Sequence, residues 1–367
     1  MTDRSANPTE PLLRVRHLTM EFVSAESAPA RAVEDVSFDV YPGQTLGLVG
    51  ESGCGKTTTM LSIMRLLPAS GRITQGAVLF DDIDLLRITE RQMRQYRWKE
   101  MAMVFQGAMN ALNPVRTVGD QIAEAILLHE TIGHEAADRR VSELLDLVGI
   151  AKSRQEQYPH QYSGGMRQRA MIAMALACHP RLLFADEPTT ALDVMIQAQI
   201  LELLQKIQRE LGLAIILVTH DLGVVAEMCD TVVVMYGGRV AEYGPIDVVY
   251  NAPQHPYTQR LLEAFPDLNR PSEQLVSIPG YPPRLNELPP GCRFEPRCHK
   301  KIEQCASVAP KLIDVTEKAV GGRMKDEDSS FIPARALAVG EAGRVTHPSS
   351  FKHLAACHLC SGPEVND

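Results

Sequence analysis

The sequence has no surplus of positive charge: 37 lysines and arginines stand against 45 aspartates and glutamates, for a net charge of −8. A general nucleic-acid binder carries a basic surface, so that class is set aside. Long apolar runs are missing as well. The aliphatic stretches, such as residues 214–218, fall far short of the roughly 20 residues that a membrane-crossing helix needs. The opening residues, MTDRSANPTE, hold no apolar core of a secretory signal, so the chain is expected to stay in the cytoplasm. What is present is a composition of 45% hydrophobic and 22% charged residues, ordinary for a globular protein. The 367 residues suffice for one large domain and a smaller one.

From residue 12 to about residue 250, strand-like and helix-like segments alternate with few long loops, which points to an α/β domain. Residues 45–49 read as a strand ending in a glycine-rich turn, and residues 58–67 as a helix stopped by Pro68. The apolar runs 181–185 and 213–219 read as buried parallel strands. Between them Ile200, Leu203, Leu204, Ile207 and Leu211 recur at helical spacing, and Gly212 closes the helix. Proline-rich text follows residue 250, marking an appended C-terminal module, and residues 321–350 read as a loop of low order.

Gly50-Glu51-Ser52-Gly53-Cys54-Gly55-Lys56-Thr57 matches the phosphate-loop pattern G-x-x-x-x-G-K-[ST], and it lies between a predicted strand and a predicted helix. The glycines let backbone N–H groups converge on phosphate oxygens at a helix N-terminus, where the dipole favours anions. Lys56 is expected to reach the β- and γ-phosphates and Thr57 to sit on Mg²⁺, with Thr58 beside it. Downstream, Asp186 and Glu187 end a buried strand, the place where open α/β sheets bind ligands. Asp186 suits Mg²⁺, and Glu187 suits orienting and deprotonating an attacking water. Alone, the same pair also fits an acidic strand end facing solvent.

Tyr162-Ser163-Gly164-Gly165-Met166-Arg167-Gln168, upstream of Asp186, resembles the signature motif of ABC ATPases, with SGGM where many members have SGGQ. Gln106 resembles the Q-loop glutamine, Ala191-Leu192-Asp193 the D-loop, and His220 the switch histidine, all in family order. The resemblance implies a P-loop NTPase fold: a RecA-like core, an antiparallel β subdomain and a helical signature subdomain at about residues 107–180. It further implies a disordered N-terminus at residues 1–11, an ABC ATPase domain at 12–250 and a small cysteine-containing extension at 251–367. Gln106 is then expected to contact Mg²⁺ and the attacking water, and His220 the γ-phosphate. Ser163, Gly164 and Gly165 are expected to close the ATP site of a second subunit. Phe22 is the candidate for stacking adenine, with an ordinary core phenylalanine as the other reading.

Phrases over nearly the whole chain, among them SGGMRQR, DEPTTALDV, THDLGVVA, HPYT and GCRFEPRC, look like the ATPases of dipeptide, oligopeptide and nickel importers. Within that group SGGM resembles the first of two non-identical ATPase subunits. The implied partners are that second ATPase, two membrane permeases and an extracytoplasmic solute-binding protein, with this chain at the cytoplasmic face of the membrane. Residues 107–114 depart from the family's usual text after the Q-loop glutamine. Ribosomal relatives with two cassettes in one chain, and chromosome-structural relatives with a long coiled coil between P-loop and signature, match this sequence poorly.

Five of the 8 cysteines follow position 290: Cys292, Cys298, Cys305, Cys357 and Cys360. In a reducing compartment such clustering favours metal over disulfides. By resemblance Cys292, Cys298, Cys305 and Cys357 hold a 4Fe–4S cluster. Structural zinc and buried free thiols are the alternatives, and Cys360 is the alternative fourth ligand. The spacing among Cys292, Cys298 and Cys305 lacks a C-x₂-C pair, which favours iron–sulfur.

Overall fold

The computed structural model describes residues 10–25, 28–107, 111–264, 277–316 and 352–360. The expected low-order stretch at 321–350 and nearly all of the expected disordered N-terminus lie outside them. In chain order the strands are β1 (Leu13–Phe22), β2 (Ala30–Val40), β3 (Thr45–Val49), β4 (Gly71–Phe80), β5 (Ile83–Asp84) and β6 (Met101–Val104). They continue as β7 (Leu182–Asp186), β8 (Ala214–Thr219), β9 (Thr231–Tyr236), β10 (Arg239–Pro245), β11 (Ile313–Asp314) and β12 (Leu354–Ala355). The helices are α1 (Lys56–Ile63), α2 (Glu90–Tyr96), α3 (Val118–His129), α4 (His134–Leu147), α5 (Gly164–Ala175), α6 (Val194–Leu211), α7 (Leu222–Met228), α8 (Ile246–Asn251) and α9 (Pro256–Glu263). None of the helices among the described residues is long and apolar enough to cross a membrane.

The chain forms two compact units, one of residues 1–41, 45–86 and 219–367, the other of residues 42–44 and 87–218. In the first, β2, β1, β4 and β5 make an antiparallel sheet in that order. β3 pairs in parallel with β9, β10 runs antiparallel to β9, and β12 is held between β10 and β11. The strand β12 brings the end of the described chain back onto this unit. It is locked there by His353, whose ring nitrogen meets Glu242 at 2.6 Å with both side chains essentially inaccessible. Glu242 also accepts the backbone N–H groups of Gln254 and His255, so one buried carboxylate ties β10 to two later segments.

In the second unit β6, β7 and β8 are parallel and buried along their lengths, as their runs of Leu, Ile, Val and Phe demand. The helix α6 starts on Asp193, whose carboxylate accepts the N–H of Ile196 at 3.0 Å, and stops at Gly212 in the left-handed region. The expected strand and this stop stand as read. The helix predicted over 58–67 differs: it starts at Lys56, inside the phosphate loop, and ends at Ile63. Arg65 with φ 52 breaks the repeat before Pro68 can.

Candidate active site

In the first unit the chain leaves β3 at Val49 and turns through Gly50 at φ 145 and Gly55 at φ 103 into α1. A Cβ at Gly50 would strike the carbonyl oxygen of Met235, and one at Gly55 that of Ala32, so glycine is required by space as well as by φ. No side chain caps α1, which leaves its first N–H groups and its dipole to favour an anion. Lys56 is buried to 6% exposure, and its Nζ donates to the carbonyls of Gly50 and Glu51 at 2.7 and 3.0 Å. Ser52 and Gly53 are exposed, and Thr57 and Thr58 half-buried. His220, exposed, follows β8, and Phe22 is half-buried at the end of β1, opposite Ala30 and Gly71.

Sequence reasoning missed what stands behind this loop. The Glu51 N–H donates to the Tyr257 hydroxyl at 2.9 Å, and Arg297 binds the Glu51 carboxylate through both terminal nitrogens. Tyr257 is fully buried in a cluster with Tyr236 and Phe294, ring centroids 4.6 and 5.4 Å away. Burial, with the nearby Cys54 and Glu51 charges, pushes its hydroxyl pKa far up, so it remains a neutral acceptor. Arg293 reaches Glu34 and the carbonyl of Gly237, and burial holds its pKa down to about 10 against the pull of Glu34. The HPYT and GCRFEPRC phrases contain these residues; their partners lie too far away along the chain for spacing to show them.

In the second unit Asp186 is 2% exposed at the end of β7, and Glu187 follows with φ 44. A bulky residue in the left-handed region stores strain, and here the peptide is held by the Glu187 N–H donating to Val218 at 2.9 Å. The turn aims the carboxylate: Gln106 Nε2 and Thr190 Oγ1 donate to its Oε2 at 2.8 and 2.9 Å. Gln106 and Glu187 are thus brought together, and Thr190, which was not among the expected site residues, joins them. Ser163 caps α5, accepting the Met166 N–H at 3.3 Å. Gly165 packs so closely on α6 that a Cβ would lie 2.8 Å from the Ile196 side chain, which joins the signature to the D-loop helix. Ala108, Met109 and Asn110 of the altered segment after Gln106 lie outside the described residues.

Among the described residues, none of the five late cysteines is in a disulfide. Cys292 donates its N–H to the Cys305 carbonyl at 2.8 Å. Its thiol is pushed up to about 11, first by burial and then by the charges of Cys305, Cys298 and Cys357. Burial likewise raises Cys298, reinforced by Cys357 and Cys305. Among the described residues, however, no group of three or more His, Cys, Asp or Glu stands ready to share a metal ion. Cys357 is drawn down to about 6, chiefly by a bond from Cys360. Cys357 and Cys360 also form a C-x₂-C pair, which the reading from Cys292, Cys298 and Cys305 overlooked and which weakens its case against zinc.

Residues 33–190 match the ABC transporter family, and residues 241–305 match the oligopeptide/dipeptide transporter C-terminal region. The chain is 50% identical over 304 residues to the dipeptide transport ATP-binding protein DppD of Bacillus subtilis (strain 168), covering 82% of this chain and 90% of that one. It is 47% identical over 301 residues to the oligopeptide transport ATP-binding protein OppD of Escherichia coli (strain K12), covering 82% and 89%. Among solved structures it is similar to cbiO1 from Clostridium perfringens, part of the ABC transporter complex cbiONQ, with TM-score 0.57 and 27% identity over 66% of this chain and 92% of that one. The ATP-binding cassette MJ0796, solved as a dimer bound to ADP and Pi, gives the same TM-score of 0.57 and identity of 27%, covering 64% and 98%. With this phosphate loop, this strand-end carboxylate pair and this C-terminal region, the chain belongs to the ATP-hydrolysing subunits of the oligopeptide/dipeptide ABC transporters.

Proposed function

We propose that this chain hydrolyses ATP at the cytoplasmic face of a membrane to drive peptide import through two permease subunits, paired with a second, non-identical ATPase. The observation that carries the hydrolytic role is the Glu187 carboxylate, fixed by Gln106 and Thr190 at the end of a buried strand. Glu187 would accept the proton of the attacking water, Gln106 would orient that water, and His220 would contact the γ-phosphate. Lys56 would hold the β- and γ-phosphates, with the N–H groups of residues 50–58 around them. Mg²⁺ would be held by oxygen donors, for which the Asp186 carboxylate, the Thr57 hydroxyl and Gln106 are the candidates. The ion would neutralise charge on the phosphate oxygens. Phe22 would stack on adenine, and Ser163, Gly164 and Gly165 would complete the opposite subunit's site. For Cys292, Cys298, Cys305 and Cys357 we propose a 4Fe–4S cluster, on the ground of their residue type and spacing in the sequence; zinc is the alternative metal and Cys360 the alternative fourth ligand.

The deciding experiment reconstitutes the chain with its partner ATPase, permeases and solute-binding protein in vesicles. Peptide-stimulated hydrolysis that disappears in Glu187→Gln, with ATP still bound, is expected. Stimulation by nickel and not by peptide would reassign the cargo; full activity of the isolated monomer would refute a site completed by a partner. Protein purified without oxygen should carry iron and acid-labile sulfide, about four of each per chain. Stoichiometric zinc without sulfide would refute the cluster.

A further inference from the structure

Glu51, the second residue of the phosphate loop, has all three of its polar groups engaged within its own unit. Its carbonyl accepts from Lys56 and its N–H donates to Tyr257. Its carboxylate accepts from Arg297 at 2.6 and 3.0 Å, a bidentate pair. The Arg297 side chain is 5% exposed and that of Glu51 25%, so the pair is shielded on the arginine side. Arg297 uses its remaining donors on the extension and the core: Nε to the Pro279 carbonyl at 2.8 Å, and Nη1 also to the Tyr236 hydroxyl at 3.2 Å. Nη2 also donates to the carbonyls of Ile278 and Gly280, both at 3.4 Å. Only a planar guanidinium offers that many donors in a rigid fork.

The placement is unexpected on electrostatic grounds. A loop that must receive a highly negative triphosphate carries a carboxylate of its own, and uncompensated it would repel the ligand. We propose that Arg297 is a positioning residue of the ATP site: from the C-terminal extension it neutralises Glu51 and holds the loop in its phosphate-binding shape. The extension is then a working part of the nucleotide site. This inference rests on the reading of residues 50–57 as the ATP cradle.

The test titrates full-length protein with a fluorescent ATP analogue and Mg²⁺, and measures KM and kcat in the reconstituted transporter. Arg297→Gln should weaken nucleotide binding about tenfold, the scale of one lost charge-assisted pair, with KM raised and kcat within about twofold of wild type. Adding Glu51→Gln to Arg297→Gln should restore most of the affinity, because the uncompensated charge is gone. An arginine that only buttressed the extension through the carbonyls of Ile278, Pro279 and Gly280 would give no such rescue. Wild-type affinity in Arg297→Gln, or a double variant as weak as the single, would overturn the inference. If Arg297→Gln does not fold, Arg297→Lys, which keeps charge without the fork, should still raise KM by about threefold. An unchanged KM there would overturn it equally. Failure of the wild-type chain to bind ATP would instead defeat the cradle reading.

Discussion

Acid should loosen the first unit through His255. The imidazole is 4% exposed, caps α9 and must be neutral, because its Nδ1 accepts the Tyr257 N–H at 3.0 Å. Burial lowers its pKa from 6.5 to about 4, against the opposing pull of Glu242 and a bond with Ala356. The facing titratable groups are Glu242, which accepts the His255 N–H, and His353, bonded to Glu242 in turn. Because the folded value lies below the unfolded one, the unfolded chain takes up the proton first as pH falls. The contribution is complete above the unfolded value of 6.5 and is lost progressively down to the folded value near 4. Its full size is about 3 kcal/mol, and about 1.4 kcal/mol of it should go between about pH 7.5 and 5.5. Urea unfolding followed by circular dichroism across that window measures the loss. His255→Asn keeps a capping acceptor but no titrating ring, so it should cost a constant amount and flatten the slope by that 1.4 kcal/mol. An identical pH slope in wild type and His255→Asn would refute the reasoning.

Other outcomes follow from the same geometry. Lys56→Ala should abolish or nearly abolish ATP binding, read by analogue titration; retained affinity would contradict the cradle. Gly50→Ala should have a comparable effect through backbone displacement against Met235, visible as lost binding in a protein whose circular dichroism is otherwise native. Glu242→Ala strands buried His353 and two N–H groups, so it should destabilise by roughly 3 kcal/mol and expose the C-terminal segment to protease. Unchanged unfolding and proteolysis in Glu242→Ala would deny the lock.

The parts of the site legible in the sequence were those whose chemistry is local. Residues 50–57 and the Asp186–Glu187 pair each place several functional groups within one turn or strand end, so residue type and spacing carry the information. The strand at 45–49 was equally legible, being a continuous apolar run with a glycine at its end. Arg297 and Glu51, His353 and Glu242, and Tyr257 and Glu51 are brought together only by folding, since their pairing depends on how β9, β10 and the extension close on the loop. The strand β12 was illegible for another reason: its two residues have no periodicity, and their place is set by β10 and β11. The left-handed turn at Glu187 could not be foreseen either, because a glutamate there runs against intrinsic preference.

The sole tryptophan has an optical consequence. Trp98 donates its indole N–H to the Met174 carbonyl at 2.7 Å, in the last turn of the helix that Ser163 begins, and its ring centroid lies 6.2 Å from that of His129. Burial, with the Lys99 charge, lowers the pKa of His129. Intrinsic tryptophan emission therefore reports from one address, the far end of the signature helix, and needs no introduced dye. A change in its intensity or colour on adding a second ATPase subunit would track that helix in real time.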